Sequence, residues 1–199
     1  MIIFISGGCK NGKSFYAQYL AKAQKTDSLY YVATMKPADS EDEERIIRHR
    51  NERSGWGFIT VEQQTDIECI LAKCENGSSF LLDSLTALLA NEMFLPDGGL
   101  NENAAEKISH GLQLITNKIK NIVIVSDYIY GDGNKYDPVT VNYMKSLAQI
   151  DRIAAMNSDI VLEIVFSGVI VHKGRDLYGK LLTGSPGFSG WHAEPELHK

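Results

Sequence analysis

Ile2-Ile3-Phe4-Ile5-Ser6-Gly7-Gly8-Cys9-Lys10-Asn11-Gly12-Lys13-Ser14 decides the fold class. An apolar run of strand-forming residues passes directly into Gly7–Ser14, which satisfies G-x-x-x-x-G-K-[ST] at every position. The segment that follows, Ser14–Ala23, reads as a helix. Strand, glycine loop and helix in that order form a phosphate cradle. The glycines let backbone N–H groups converge on phosphate oxygens, and the helix adds the positive end of its dipole. Gly7, Gly8, Cys9, Lys10, Asn11 and Gly12 are the expected loop contacts; Lys13 is expected at the β- and γ-phosphates, and Ser14 on a Mg²⁺ ion. ATP or GTP is the expected nucleotide.

Further apolar runs at Leu29–Ala33, Phe80–Asp83, Ile122–Ser126 and Ile160–Phe166 alternate with amphipathic stretches. Most of these runs do not alternate with polar residues, as strands buried on both faces of a parallel sheet require. The expectation is an α/β, P-loop NTPase-type, doubly wound and mostly parallel sheet with helices on both faces. Helices are predicted at Ser40–Arg53, opened by a Ser40/Glu43 capping box, and at Asp66–Cys74, Leu85–Glu92, Glu102–Lys118 and Val139–Met156. Loops are predicted at Leu95–Asn101 and Asp127–Pro138, where Asp127 and Asp132 read as turn formers beside glycine. No linker divides residues 1–173, which are read as one catalytic domain. Residues 174–199, rich in glycine and aperiodic, are read as a surface extension, in part disordered.

Of 199 residues, 44% are hydrophobic and 23% charged, which excludes disordered and fibrous classes. A net charge of −5 argues against a nucleic-acid footprint and for a small-molecule partner. Cys9, Cys69 and Cys74 are odd in number and lack metal-ligand spacing, so a reducing, cytoplasmic setting is expected. Met1–Ile5 is too short to span a membrane.

A P-loop metal needs an acidic partner at the end of another buried strand, and Asp83 closes Phe80–Asp83. Capping of the helix beginning near Leu85 is the alternative role for Asp83. Arg45, His49 and Arg53 fall at i, i+4 and i+8 on one helical face. A neutral imidazole there is a candidate nucleophile toward phosphorus, with Arg45, Arg50 and Arg53 available to phosphates; a solvated charged face is the alternative.

These pieces resemble the adenosylcobinamide kinase/adenosylcobinamide-phosphate guanylyltransferase family of cobalamin assembly. The resemblance runs from about Met1 to Asn91. Beyond the loop it rests on Tyr31-Val32-Ala33-Thr34, Glu44-Arg45-Ile46 leading to His49-Arg50 and Arg53, Trp56 with Thr60-Val61-Glu62, and Leu82-Asp83 with Leu85-Thr86 and Asn91. It implies phosphorylation of adenosylcobinamide, then transfer of GMP from GTP through a guanylylated histidine, here His49. Lys13 and Asp83 would share the catalytic work, and a homotrimer is expected. The second half departs from the family pattern. Where the family has Ser-Asn-Glu-Val-Gly and a Gly-Ile-Val-Pro stretch, this chain has Ser126-Asp127-Tyr128-Ile129-Tyr130-Gly131-Asp132-Gly133 and reaches proline only at Pro138. A family Asn-Gln pair is replaced by Asp151-Arg152, and a preceding glycine by Ala148. A P-loop kinase without guanylyl transfer, or acting on another acceptor, and a non-catalytic nucleotide-binding module are the competing readings.

Overall fold

The computed structural model describes residues 1–37, 44, 47, 53–75, 77–131, 133–166 and 168–184. Seven strands form one sheet: β1 (Ile2–Gly7), β2 (Leu29–Ala33), β3 (Phe58–Glu62), β4 (Ser79–Asp83), β5 (Asn121–Val125), β6 (Ile160–Val165) and β7 (Gly168–Lys173). Their spatial order is β3-β2-β4-β5-β1-β6-β7. Every pairing is parallel except β6 with β7, a hairpin that closes one edge.

Alternate residues of each central strand enter opposite cores. Phe4, Val32, Leu82, Ile122 and Ile124 face one side, packed by α3 (Leu85–Met93), α4 (Ala104–Lys118) and α5 (Pro138–Asn157). Ile3, Ile5, Leu81, Val123 and Val125 face the other, packed by α1 (Lys13–Ala23) and α6 (Arg175–Thr183). A 3₁₀ turn at Ile67–Cys69 runs into the short α2 (Ile70–Lys73), where the sequence predicts one helix over Asp66–Cys74. Ile67 and Ile70 fill the core there, and all three cysteines are free thiols. The predicted Ser40–Arg53 helix lies outside the described residues apart from Glu44, Ile47 and Arg53.

Two edge strands, β3 and β7, escape the apolar-run criterion because an edge strand is covered less completely; Thr60 and Ile59 of β3 are exposed. The region after 173 begins with one further helix, α6. Arg175–Thr183 is helical, with Tyr178 buried and Leu181 and Leu182 packed beside it, a spacing of i, i+3 and i+4 hidden in a glycine-rich stretch. The hydroxyls of Tyr178 and Tyr16 hydrogen-bond in the interior, fastening α6 to α1. Residues 185–199 lie outside the described residues.

Candidate phosphate-binding site

The glycine loop leaves the C-terminal end of β1 at a point set by its neighbour β6. Gly7 is in register with Ile164, and a Cβ on Gly7 would stand 2.5 Å from the Ile164 carbonyl oxygen and 2.5 Å from Asn11 Nδ2. Only a residue without a side chain passes there. Asn11 Nδ2 donates to that carbonyl at 2.5 Å while Asn11 Oδ1 accepts from the Lys13 amide at 3.2 Å, so one side chain ties the loop to the sheet. Gly12 takes the left-handed conformation, φ 89°, that turns the chain into α1. The first turn of α1 holds no acidic residue, and its cap position, Gly12, supplies no side-chain hydrogen bond to the leading N–H groups. Gly8 has open space beside it.

Lys13 is 6% exposed, and its Nζ lies 3.1 Å from the Gly8 carbonyl and 2.5 Å from Asp127 Oδ1. Asp127, read from the sequence as a turn former, is thus the counter-ion of the loop lysine. Its position is fixed on both sides: its amide donates to Thr86 Oγ1 at 2.9 Å, and the next amide, of Tyr128, donates to the Gly7 carbonyl at 2.9 Å. Thr86 is held in turn by Tyr143, whose hydroxyl donates to the Thr86 carbonyl at 2.8 Å. Periodicity could not find this contact, because it joins residues 114 positions apart through a loop. Asp132 lies outside the described residues.

Asp83 is the last residue of β4, and the cap of α3 is Ser84, whose Oγ accepts from the Ala87 amide at 3.4 Å. One oxygen of Asp83 accepts from the Tyr31 hydroxyl at 2.9 Å. Thr34 fixes the backbone beside it, its Oγ1 donating to the Ser84 carbonyl at 2.8 Å and accepting from the Ser84 amide at 2.7 Å. Asn91 Nδ2 donates to the carbonyls of Thr34, at 2.7 Å, and Gln64, at 3.0 Å. Arg53 is buried with its guanidinium 3.5 Å above the Tyr31 ring, which places a cation one aromatic ring from the group that holds Asp83. His49, Arg45 and Arg50 lie outside the described residues.

Behind the β5–α5 loop sits a buried carboxylate. Asp151 is 3% exposed and accepts from the Tyr130 hydroxyl at 3.0 Å through Oδ2, with the Ser126 hydroxyl close by. Burial pushes its pKa up to about 7, against the opposing pull of Ser126 and Tyr130 and with help from the charge of Asp127. Burial likewise raises the Tyr130 and Tyr143 hydroxyls above the ordinary tyrosine range.

A parallel sheet whose central strand runs through a glycine loop into a helix, with a buried lysine at the loop and an aspartate closing a nearby strand, defines a P-loop nucleotide-binding protein. The family model described as CobU, cobinamide kinase / cobinamide phosphate guanyltransferase, matches residues 3–172, and the chain belongs to that family. The match extends well past Asn91 into the divergent half. The bifunctional adenosylcobalamin biosynthesis protein CobU of Escherichia coli (strain K12) is 32% identical over 95 residues, 47% of this chain and 51% of that protein. The aligned region therefore spans about half the length of that relative. Among solved structures, a KaiC-like protein, PH0186, from Pyrococcus horikoshii OT3 aligns with a TM-score of 0.48 at 14% identity, covering 88% of this chain and 79% of that one. The flagellar accessory protein FlaH from Methanocaldococcus jannaschii aligns with a TM-score of 0.41 at 16% identity, covering 81% and 70%.

Proposed function

We propose that this chain phosphorylates adenosylcobinamide from ATP or GTP and then transfers GMP from GTP to the resulting phosphate through a guanylylated His49. The observation that carries the reading is the buried Lys13 at the mouth of a complete phosphate loop, in a chain of the cobinamide kinase/guanylyltransferase family. Loop amides, the leading N–H groups of α1 and Lys13 gather the triphosphate charge. Ser14 and Asp83 suit Mg²⁺, which takes one or two protein oxygens and completes its shell from phosphates and water. When bound, the ion neutralises charge on the phosphates during transfer. Asp83 has one oxygen engaged by Tyr31, leaving the other without a hydrogen bond among the described residues. Arg53, with Arg45 and Arg50, would hold phosphate while His49 attacks the α-phosphorus: the N–P bond forms and pyrophosphate leaves with the bridging electron pair. Action as a trimer, in the cytoplasm, belongs to the same proposal. No helix among the described residues is long and apolar enough to cross a membrane.

Incubation with GTP labelled at the α-phosphate tests the scheme. Wild type should acquire acid-labile, base-stable label, His49→Ala none, with phosphorylation of adenosylcobinamide retained in His49→Ala and lost with Lys13→Ala. An unlabelled wild type that still phosphorylates adenosylcobinamide would leave a kinase alone.

A further inference from the structure

We propose that Asp127 is the general base of the phosphoryl-transfer step, taking the proton from the acceptor hydroxyl as it attacks the γ-phosphorus. The inference rests on the kinase half of the function proposed above. Among the described residues, Asp83, Asp127 and Asp151 are the carboxylates placed above, and the structure separates them. Asp151 is 3% exposed and sealed behind Tyr130, out of reach of any acceptor. Asp83 is engaged by Tyr31 at the end of β4. Among the described residues Asp127 alone forms an ion pair with Lys13, at 2.5 Å, and its side chain retains 20% exposure.

That contact places it relative to a bound nucleotide. The ammonium of a P-loop lysine binds terminal phosphate oxygens at about 2.7–2.9 Å, as charge-assisted bonds do. Because ammonium donors splay tetrahedrally, a carboxylate oxygen 2.5 Å from the same nitrogen is about 4.3 Å from such a phosphate oxygen. One hydroxyl bridges that span, at about 2.7 Å from the carboxylate and about 3–3.5 Å from phosphorus. A γ-phosphate that shares the ammonium with Asp127 leaves the carboxylate beside the acceptor. The acceptor O–H bond then breaks with its proton on Asp127, the new O–P bond forms, and the bond to the bridging oxygen breaks with its electron pair on the departing nucleoside diphosphate. The two backbone hydrogen bonds at Asp127 and Tyr128 hold the carboxylate in place for this, as a base must be before the proton moves.

Asp127→Asn keeps the shape of the side chain and removes its capacity to take a proton. It is assayed with adenosylcobinamide and with water as alternative acceptors, and with a fluorescent ATP analogue for binding. The expected result is a fall in kcat of at least about 100-fold, the lower bound for loss of general base catalysis, with analogue affinity unchanged or tighter because Lys13 has lost a competing anion. Asp127→Glu, which keeps the carboxylate, should recover part of the rate; Asp127→Ser takes the place of the amide variant if that one does not fold. A kcat within threefold of wild type overturns the assignment, as does a loss of rate that only follows a loss of binding. Hydrolysis by wild type without phosphorylation of adenosylcobinamide would sink the cobinamide reading and leave Asp127 standing if Asp127→Asn abolishes that hydrolysis. A wild type that turns over triphosphate with neither acceptor overturns both.

Discussion

Asp151→Asn should remove a loss of stability that wild type undergoes as the pH rises toward 7. The native pKa of Asp151 is about 7 against 3.8 for an unperturbed aspartate, because burial penalises the ionised form. Between those values the folded state binds more protons than the unfolded state, so stability falls as pH rises. The contribution of this group is fully favourable below pH 3.8, is lost progressively up to pH 7, and is constant above it. Each pH unit in that window is worth about 1.4 kcal/mol, so raising the pH from 5 to 8 removes about 3 kcal/mol, incurred over the two units below pH 7. Among the described residues the groups that act on Asp151 are Tyr130, Ser126, Tyr143 and the charge of Asp127, and none is a cation. An asparagine carries no charge to desolvate and still accepts from Tyr130. Urea denaturation of wild type and Asp151→Asn at pH 5 and pH 8 reads the effect. The variant should gain about 3 kcal/mol on wild type between the two pH values. A stability difference independent of pH would show that Asp151 ionises in the native state as it does in the unfolded chain, and the reasoning would fail.

The loop and the C-terminal helix give two further tests. Gly7→Ala drives a methyl group to 2.5 Å from the Ile164 carbonyl, a backbone atom that cannot swing aside, and should weaken binding of a fluorescent nucleotide analogue at least tenfold while lowering the melting temperature. Unchanged binding would mean that the loop relaxes without cost. Tyr178→Ala removes a buried aromatic ring and its bond to Tyr16, and should cost about 3–5 kcal/mol in urea denaturation. A loss below 1 kcal/mol would return residues after 173 to the status of an appendage.

The chain order of residues was enough to establish the P-loop and the parallel sheet, since both are local patterns: continuous apolar runs for doubly covered strands, and glycines at fixed offsets before a lysine. Asp83 was legible as the polar end of such a run. That Ser84 and not Asp83 caps α3 needed coordinates, because both adjacent residues suit a cap. The edge strands β3 and β7 were invisible to a rule that senses burial on both faces, and Tyr178 was obscured by its glycine-rich surroundings. Thr34, Thr86 and Asn91 were singled out only by resemblance; folding shows them joining β2, β4 and the β5–α5 loop through side-chain hydrogen bonds. Sequence alone thus determined the P-loop and the place of Lys13 within it. Which carboxylate faces that lysine was decided by tertiary structure, since the parallel order places β5 beside β1 and so delivers Asp127 to Lys13 across 114 positions of chain.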